Sequence, residues 1–90
     1  MITWDDNKRR ANLAKHGIDF AHCAVIFDSP LVTEEDDRLA HGEQRLCSLG
    51  LFYGVVVRVV WVDRGDAAHL ISVRKAKRHE QRTYWQTFGS

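Results

Sequence analysis

The chain has 90 residues, of which 44% are hydrophobic and 28% charged, proportions that predict one soluble folded domain and set aside disordered, collagen-like and low-complexity classes. Two widely spaced cysteines, Cys23 and Cys47, give little support to a disulfide framework or a zinc knuckle and read as buried thiols in a reducing cytoplasm. The net charge of +1 does not suggest a nucleic-acid binder, the longest apolar run (54–62) is broken by Arg58 and falls well short of the ~20 residues of a membrane span, and "MITWDDNKRR" lacks the order of a signal peptide.

In chain order, Ile2-Thr3-Trp4 reads as a short strand. "DDNKRRANLAKHG" reads as a helix, with Asp5 and Asp6 at its positive end, Lys15 and His16 at its negative end, and Gly17 placed to stop it. "IDFAHCAVIFDSP" predicts a second, short helix capped by Asp19, with Phe20, Cys23, Ala24 and Phe27 on one face and Pro30 closing it. Beyond Pro30 the pattern changes to β-branched runs at 31–35, 44–51, 55–63 and 67–74, separated by the turn signals "EDDRLAHGE", "FYG" and "DRGD". The third run, "VVVRVVWVD", is apolar on both faces and reads as a central strand, covered on one side by the helices and leaving the other for a groove or partner. "KAKRHEQRTYWQTF" predicts a last helix with Tyr84 and Phe88 one turn apart. The expected fold is therefore α+β: an antiparallel four-stranded meander with two N-terminal helices, a C-terminal helix and a short N-terminal strand, in a single domain spanning 1–90.

Charge is distributed unevenly. Asp28, Glu34, Glu35, Asp36 and Asp37 stand in a stretch without a base, whereas Arg74, Lys75, Lys77, Arg78 and Arg82 surround the single acid Glu80. Lys8, Arg9, Arg10 and Lys15 form a second basic cluster. A chain polarised in this way can hold a phosphate backbone on one face and stay near neutral overall; solvated helix faces are the plain alternative.

Several motifs stop short. His79-Glu80 begins like a zinc-protease helix, but Thr83 stands where the second His belongs, and His41-Gly42-Glu43 is followed by no Cys pair. Neither a metal site nor a cofactor is expected. "RGD" at 64–66 reads as a turn between strands, and there is no phosphate loop or nucleophile elbow. What remains is Arg, Lys, His, Glu and Tyr, a set that can cleave RNA without metal. A base takes the 2′-hydroxyl proton, cations stabilise the pentacoordinate phosphate, and an acid protonates the leaving oxygen. Arg74, Lys75, Arg78 and Arg82 form a candidate cationic strip. Glu80 among them would be held ionised, as a proton acceptor or as an ordinary ion-pair partner. His16 at a helix end is either a general acid or a cap. Tyr84 and Trp85 either stack on bases or pack against the sheet. His22 and His69 read as structural or exposed, and His41 as solvated.

"WDDNKRRANLAKHGIDFAHCAVIFDSP" resembles the opening of BrnT-type toxins, on Trp4, Asp5, Lys8, Asn12, Lys15, His16, Gly17, Ile18 and Phe20, then Ala24, Phe27 and Pro30. Glu43, Arg45 and Gly50, the "RGD" turn, and Ser72, Arg74, Ala76, Glu80 and Tyr84 extend the likeness over nearly the whole chain. The resemblance implies a small bacterial, cytoplasmic ribonuclease of a type II toxin–antitoxin system, with a fold like that of RelE-type and microbial ribonucleases. Its implied partner is a BrnA-type antitoxin with a ribbon-helix-helix domain, through which the pair would bind operator DNA. The chain departs from the family pattern at Lys77, where relatives carry a hydroxyl that serves catalysis or caps a helix, and at Val73, where alanine is usual. The resulting expectation is a metal-independent endoribonuclease. Arg74 and Arg78 would contact phosphate, Glu80 or His16 would move the proton, Arg45 and Tyr84 would position the substrate, and Lys15, Lys75, Lys77 and Arg82 would bind RNA. The competing expectation is an inactive binding module that acts with the antitoxin in autorepression.

Overall fold

Local signals set the first helix of the computed structural model, which describes residues 1–36 and 42–89. Strand β1 (Ile2–Trp4) leads into α1 (Asp6–His16). The Asp5 carboxylate accepts the backbone N–H of Asn7 at 2.8 Å and of Lys8 at 3.4 Å, which meets two of the donors that a helix start leaves open. Gly17, with φ of 71°, ends α1 in the left-handed conformation that its missing side chain permits, its N–H donating to the Leu13 carbonyl at 2.9 Å.

The expected second helix is shorter than its sequence pattern suggests. Asp19 caps a single 3-10 turn, Phe20–His22, followed by one turn of α-helix, α2 (Ala24–Phe27). The buried residues are Phe20, Cys23 and Ile26, at the three-residue period of a 3-10 turn, and Ala24 is exposed.

Four strands follow: β2 (Val32–Asp36), β3 (Arg45–Phe52), β4 (Val55–Asp63) and β5 (Ala68–Lys75), and then α3 (Arg78–Phe88). Successive strands from β2 to β5 pair antiparallel. The four-stranded antiparallel expectation is corrected by β1, which pairs parallel to β5 and makes a five-stranded mixed sheet in the order β1-β5-β4-β3-β2. The Ala68 N–H donates to the Met1 carbonyl at 2.9 Å, so the outer edge of β5 finds partners it would otherwise lack. The acidic turn, including Asp37 and His41, lies outside the described residues.

One face of the sheet carries the main core, where Val57, Val59, Leu70 and Val73 meet Ile18, Phe20, Cys23 and Ile26. Trp61 meets Phe27 edge-on at 5.2 Å and donates to the buried Ser48 hydroxyl at 2.9 Å. The opposite face is covered in part by α3 through Tyr84, packed with Leu49, Val56 and Ala76. Helix α1 is tied to β5 by its one buried residue, Asn12. Its amide donates to the carbonyls of Ile18 and Val73 at 3.0 Å each and accepts the Val73 N–H at 2.9 Å.

Candidate functional site

Two arginines face each other across the central strands. Arg58 of β4 is the register partner of Arg74 of β5, on the face covered by α3. Two guanidinium groups this close need a counter-charge, and the first turn of α3 supplies it. The Glu80 carboxylate accepts from Arg74 Nη1 at 2.8 Å and Nη2 at 2.9 Å and from the Lys77 N–H at 2.7 Å, and lies 3.7 Å from Arg58 Nε. The Arg74 hydrogen bonds, more than the Lys77 N–H and the charge of Arg58, hold the Glu80 carboxyl down at about 2 against an ordinary value of 4.5, despite the opposing effect of burial. Glu80 is thus ionised at neutral pH, but with both oxygens engaged it is a weak base, far from the near-neutral range that suits proton transfer.

The groove beside this cluster holds about 310 Å³. Glu34, Glu35 and Asp36 line it from β2, and Arg58, His79 and Glu80 from the other side. Carboxylates outnumber guanidinium groups here, so the groove itself does not favour a phosphate chain.

The opposite side differs. Lys8, Lys15 and His16 line a cavity of about 230 Å³ against Ile71 and Ser72 of β5. His16 also lines a second cavity, of about 350 Å³, with Lys75 at its rim and Ile18, Phe52, Tyr53, Val55 and Val57 as its apolar lining. Among the described residues neither lining contains a carboxylate. His16, half-buried at the end of α1, is shared by both.

The expected cationic strip is therefore divided. Arg74 points to the α3 face and is held by Glu80, whereas Lys75, the register partner of Val57, belongs to the opposite face beside His16. His16 and Glu80 line different cavities, so the structure does not bring together the two candidates for proton transfer. Lys77, Arg78 and Arg82 are exposed on α3, and Lys15 on α1. Arg45 is half-buried at the start of β3, opposite Asp36 of β2. Tyr84 is a core residue, 1% exposed, and donates its hydroxyl to the Pro30 carbonyl at 2.9 Å. Any effect of Tyr84 on substrate runs through the seating of α3, while Trp85 is exposed beside it.

Of the other described histidines, His22 and His79 are exposed and His69 is held within the fold. His69 shares a 2.8 Å hydrogen bond with the Thr3 hydroxyl, and burial followed by the charge of Arg64 lowers its pKa. Arg64 pairs with Glu43 at 3.0 Å in the turn that "RGD" predicted. Neither cysteine forms a disulfide, and burial pushes the Cys23 thiol up to about 12. Among the described residues no three His, Cys, Asp or Glu side chains form a metal-ligand set, and no helix is long and apolar enough to cross a membrane.

Arg58, in the ion cluster, and Tyr53, in the lining of the His16 cavity, are not among the residues that the sequence singles out as functional candidates. A lone charge inside an otherwise apolar central strand was the available signal for Arg58; for Tyr53 it was an aromatic in a two-residue turn. A search of the curated proteins gives no match. The family model described as the ribonuclease toxin BrnT of type II toxin–antitoxin systems matches residues 4–80 of the 90, and the chain belongs to that family.

Proposed function

We propose that the chain is a metal-independent endoribonuclease that cuts RNA to inhibit translation. A BrnA-like ribbon-helix-helix antitoxin neutralises it, and through that antitoxin the pair binds operator DNA. Family membership supports an RNA substrate and a protein antitoxin. The observation that carries the chemistry is the position of His16 in the lining of two cavities that hold Lys8, Lys15 and Lys75 and, among the described residues, no carboxylate. An imidazole can exchange protons near neutral pH, and Lys8, Lys15 and Lys75 around it suit a phosphate chain.

In this reading the 2′-oxygen loses its proton and attacks the adjacent phosphorus, and the bond from phosphorus to the 5′-oxygen breaks. The departing oxygen takes up a proton, leaving a 2′,3′-cyclic phosphate and a 5′-hydroxyl. His16 moves one of these protons, and the lysines offset the charge that builds on the phosphoryl oxygens. Arg78, Arg82 and Lys77 extend phosphate contact along α3. Arg74 acts with Glu80 to fix α3 against β5.

The test is incubation of the purified chain with single-stranded RNA in EDTA, beside His16→Gln and Lys75→Glu. Loss of general acid-base help lowers the rate by about 10²–10⁴, so His16→Gln should leave RNA nearly intact. Arg74→Glu is a poor probe, because it would set two carboxylates against each other in the ion cluster. Intact RNA with the folded wild-type chain would favour the second reading, an inactive partner of the antitoxin. The carboxylate-rich groove, which suits a basic segment better than RNA, is the observation on that side.

A further inference from the structure

The link between β3 and β4 consists of two residues, Tyr53 and Gly54, between the paired Phe52 and Val55. Both have positive φ, 48° and 82°, as in a type I′ hairpin turn, where Asn-Gly is the favoured pair. Gly54 meets that demand freely. A bulky residue at the first position is an outlier that costs stability. Tyr53 nevertheless stands there, 69% exposed, with its ring edge-on to Phe52 at 4.8 Å. Its burial within the chain therefore offsets little of that cost.

We propose that the slot beside this turn is a nucleobase subsite for single-stranded RNA, in which an unpaired base stacks on Tyr53 while its phosphate lies on Lys75. The proposal rests on the ribonuclease reading and extends it to the nucleotide next to the one held at His16. Ile18 and Val57 form a buried apolar floor, and Phe52, Tyr53 and Val55 the walls. The charged rim is cationic, and His16 joins the slot to the cavity of Lys8 and Lys15. A flat apolar wall beside a cation fits a base and its phosphate, and stacking accepts any base because each has a π-face. A paired base in a duplex cannot enter, so the slot favours single strands.

The test uses a labelled 2′-O-methyl RNA octamer, which cannot be cleaved, titrated by fluorescence anisotropy alongside thermal unfolding. Tyr53→Asn suits the left-handed turn and removes the ring. It should raise Tm while weakening octamer binding at least about fivefold, the lower end of what one base stack contributes. Tyr53→Trp should keep the affinity. Lys75→Gln should flatten the salt dependence by roughly one phosphate contact, and Tyr53→Asn should not. Octamer affinity within twofold of wild type in Tyr53→Asn, or a Tm lowered by that change, would overturn the proposal. Natural RNA bound in a Tyr53-dependent way but never cut would sink the ribonuclease reading and keep the slot. Cleavage with Tyr53-independent binding would do the reverse.

Discussion

Lys77 stands at the N-cap of α3 with no oxygen to offer. Its ammonium can only donate, so half of a capping box forms: Glu80 takes the Lys77 N–H, and nothing from the Lys77 side chain can accept the Glu80 N–H in return. Position 77, where the resemblance leads to an expectation of Thr or Ser, is thus a capping position. Lys77→Ser should complete the box and stabilise the protein by about 1 kcal/mol, read as a higher urea midpoint at unchanged slope. Gly50 gives the opposite case. A Cβ there would stand 2.7 Å from Leu31 Cδ2 and 2.9 Å from Ile26 Cγ2, because the α2 turn and the segment after it lie directly on β3. Gly50→Ala should cost roughly 1–3 kcal/mol as the packing spreads to admit one methyl group, and a urea midpoint equal to wild type would show that α2 shifts freely.

At the scale of elements, α1 is held by hydrogen bonds more than by apolar burial. Leu13 is 45% exposed, and Asn12 is the buried residue of the helix. Asn12→Ala would leave the Val73 N–H and two carbonyls without their partner, a loss of roughly 2–3 kcal/mol by the usual cost of stranded polar groups. Asn12→Asp keeps the acceptor for Val73 but faces two carbonyls with a charge, so it should be no milder. Faster hydrogen exchange at Val73 in both variants would locate the damage. The same elements explain what could be read from sequence. The acids at the start of α1, the stop at Gly17, the cap at Asp19, the apolar runs of β3 to β5 and the pairing of Tyr84 with Phe88 are local patterns, and each appears where the chain predicts it. The parallel pairing of β1 with β5 joins residues at opposite ends of the chain, and three residues of strand carry no sign of direction. The split of Arg74 from Lys75 follows from strand alternation, which sends neighbouring side chains of β5 to opposite faces and breaks a cationic strip over 74–82 at its first step. The convergence of Arg58, Arg74 and Glu80 joins three elements through space, and no spacing within one element reports it.

At the scale of the whole molecule, that convergence makes the fold sensitive to acid. Glu80 joins α3 to both β4 and β5, and the carboxylate of Asp19 joins the 3-10 turn to α1 through Arg9 at 2.8 and 3.0 Å. Both carboxyls are held below their ordinary range, each first by its hydrogen bonds to an arginine. A depressed folded-state pKa means that the unfolded chain binds more protons as the pH falls. The stabilisation is therefore complete above the ordinary carboxyl pKa and disappears on acidification. For Glu80 the window runs from about 4.5 down to about 2. The part of Tm that depends on Glu80 should hold steady above pH 5 and fall through that window, whereas the lowered pKa of His69 sets a separate loss that begins near 6.5. Glu80→Gln should lower Tm at pH 7, because two half-buried guanidinium groups lose their counter-charge. The same variant should show a shallower acid slope, with Asp19 accounting for what remains. If wild type and Glu80→Gln lose Tm in parallel between pH 5 and pH 2, the tie between α3 and the central strands does not depend on that charge.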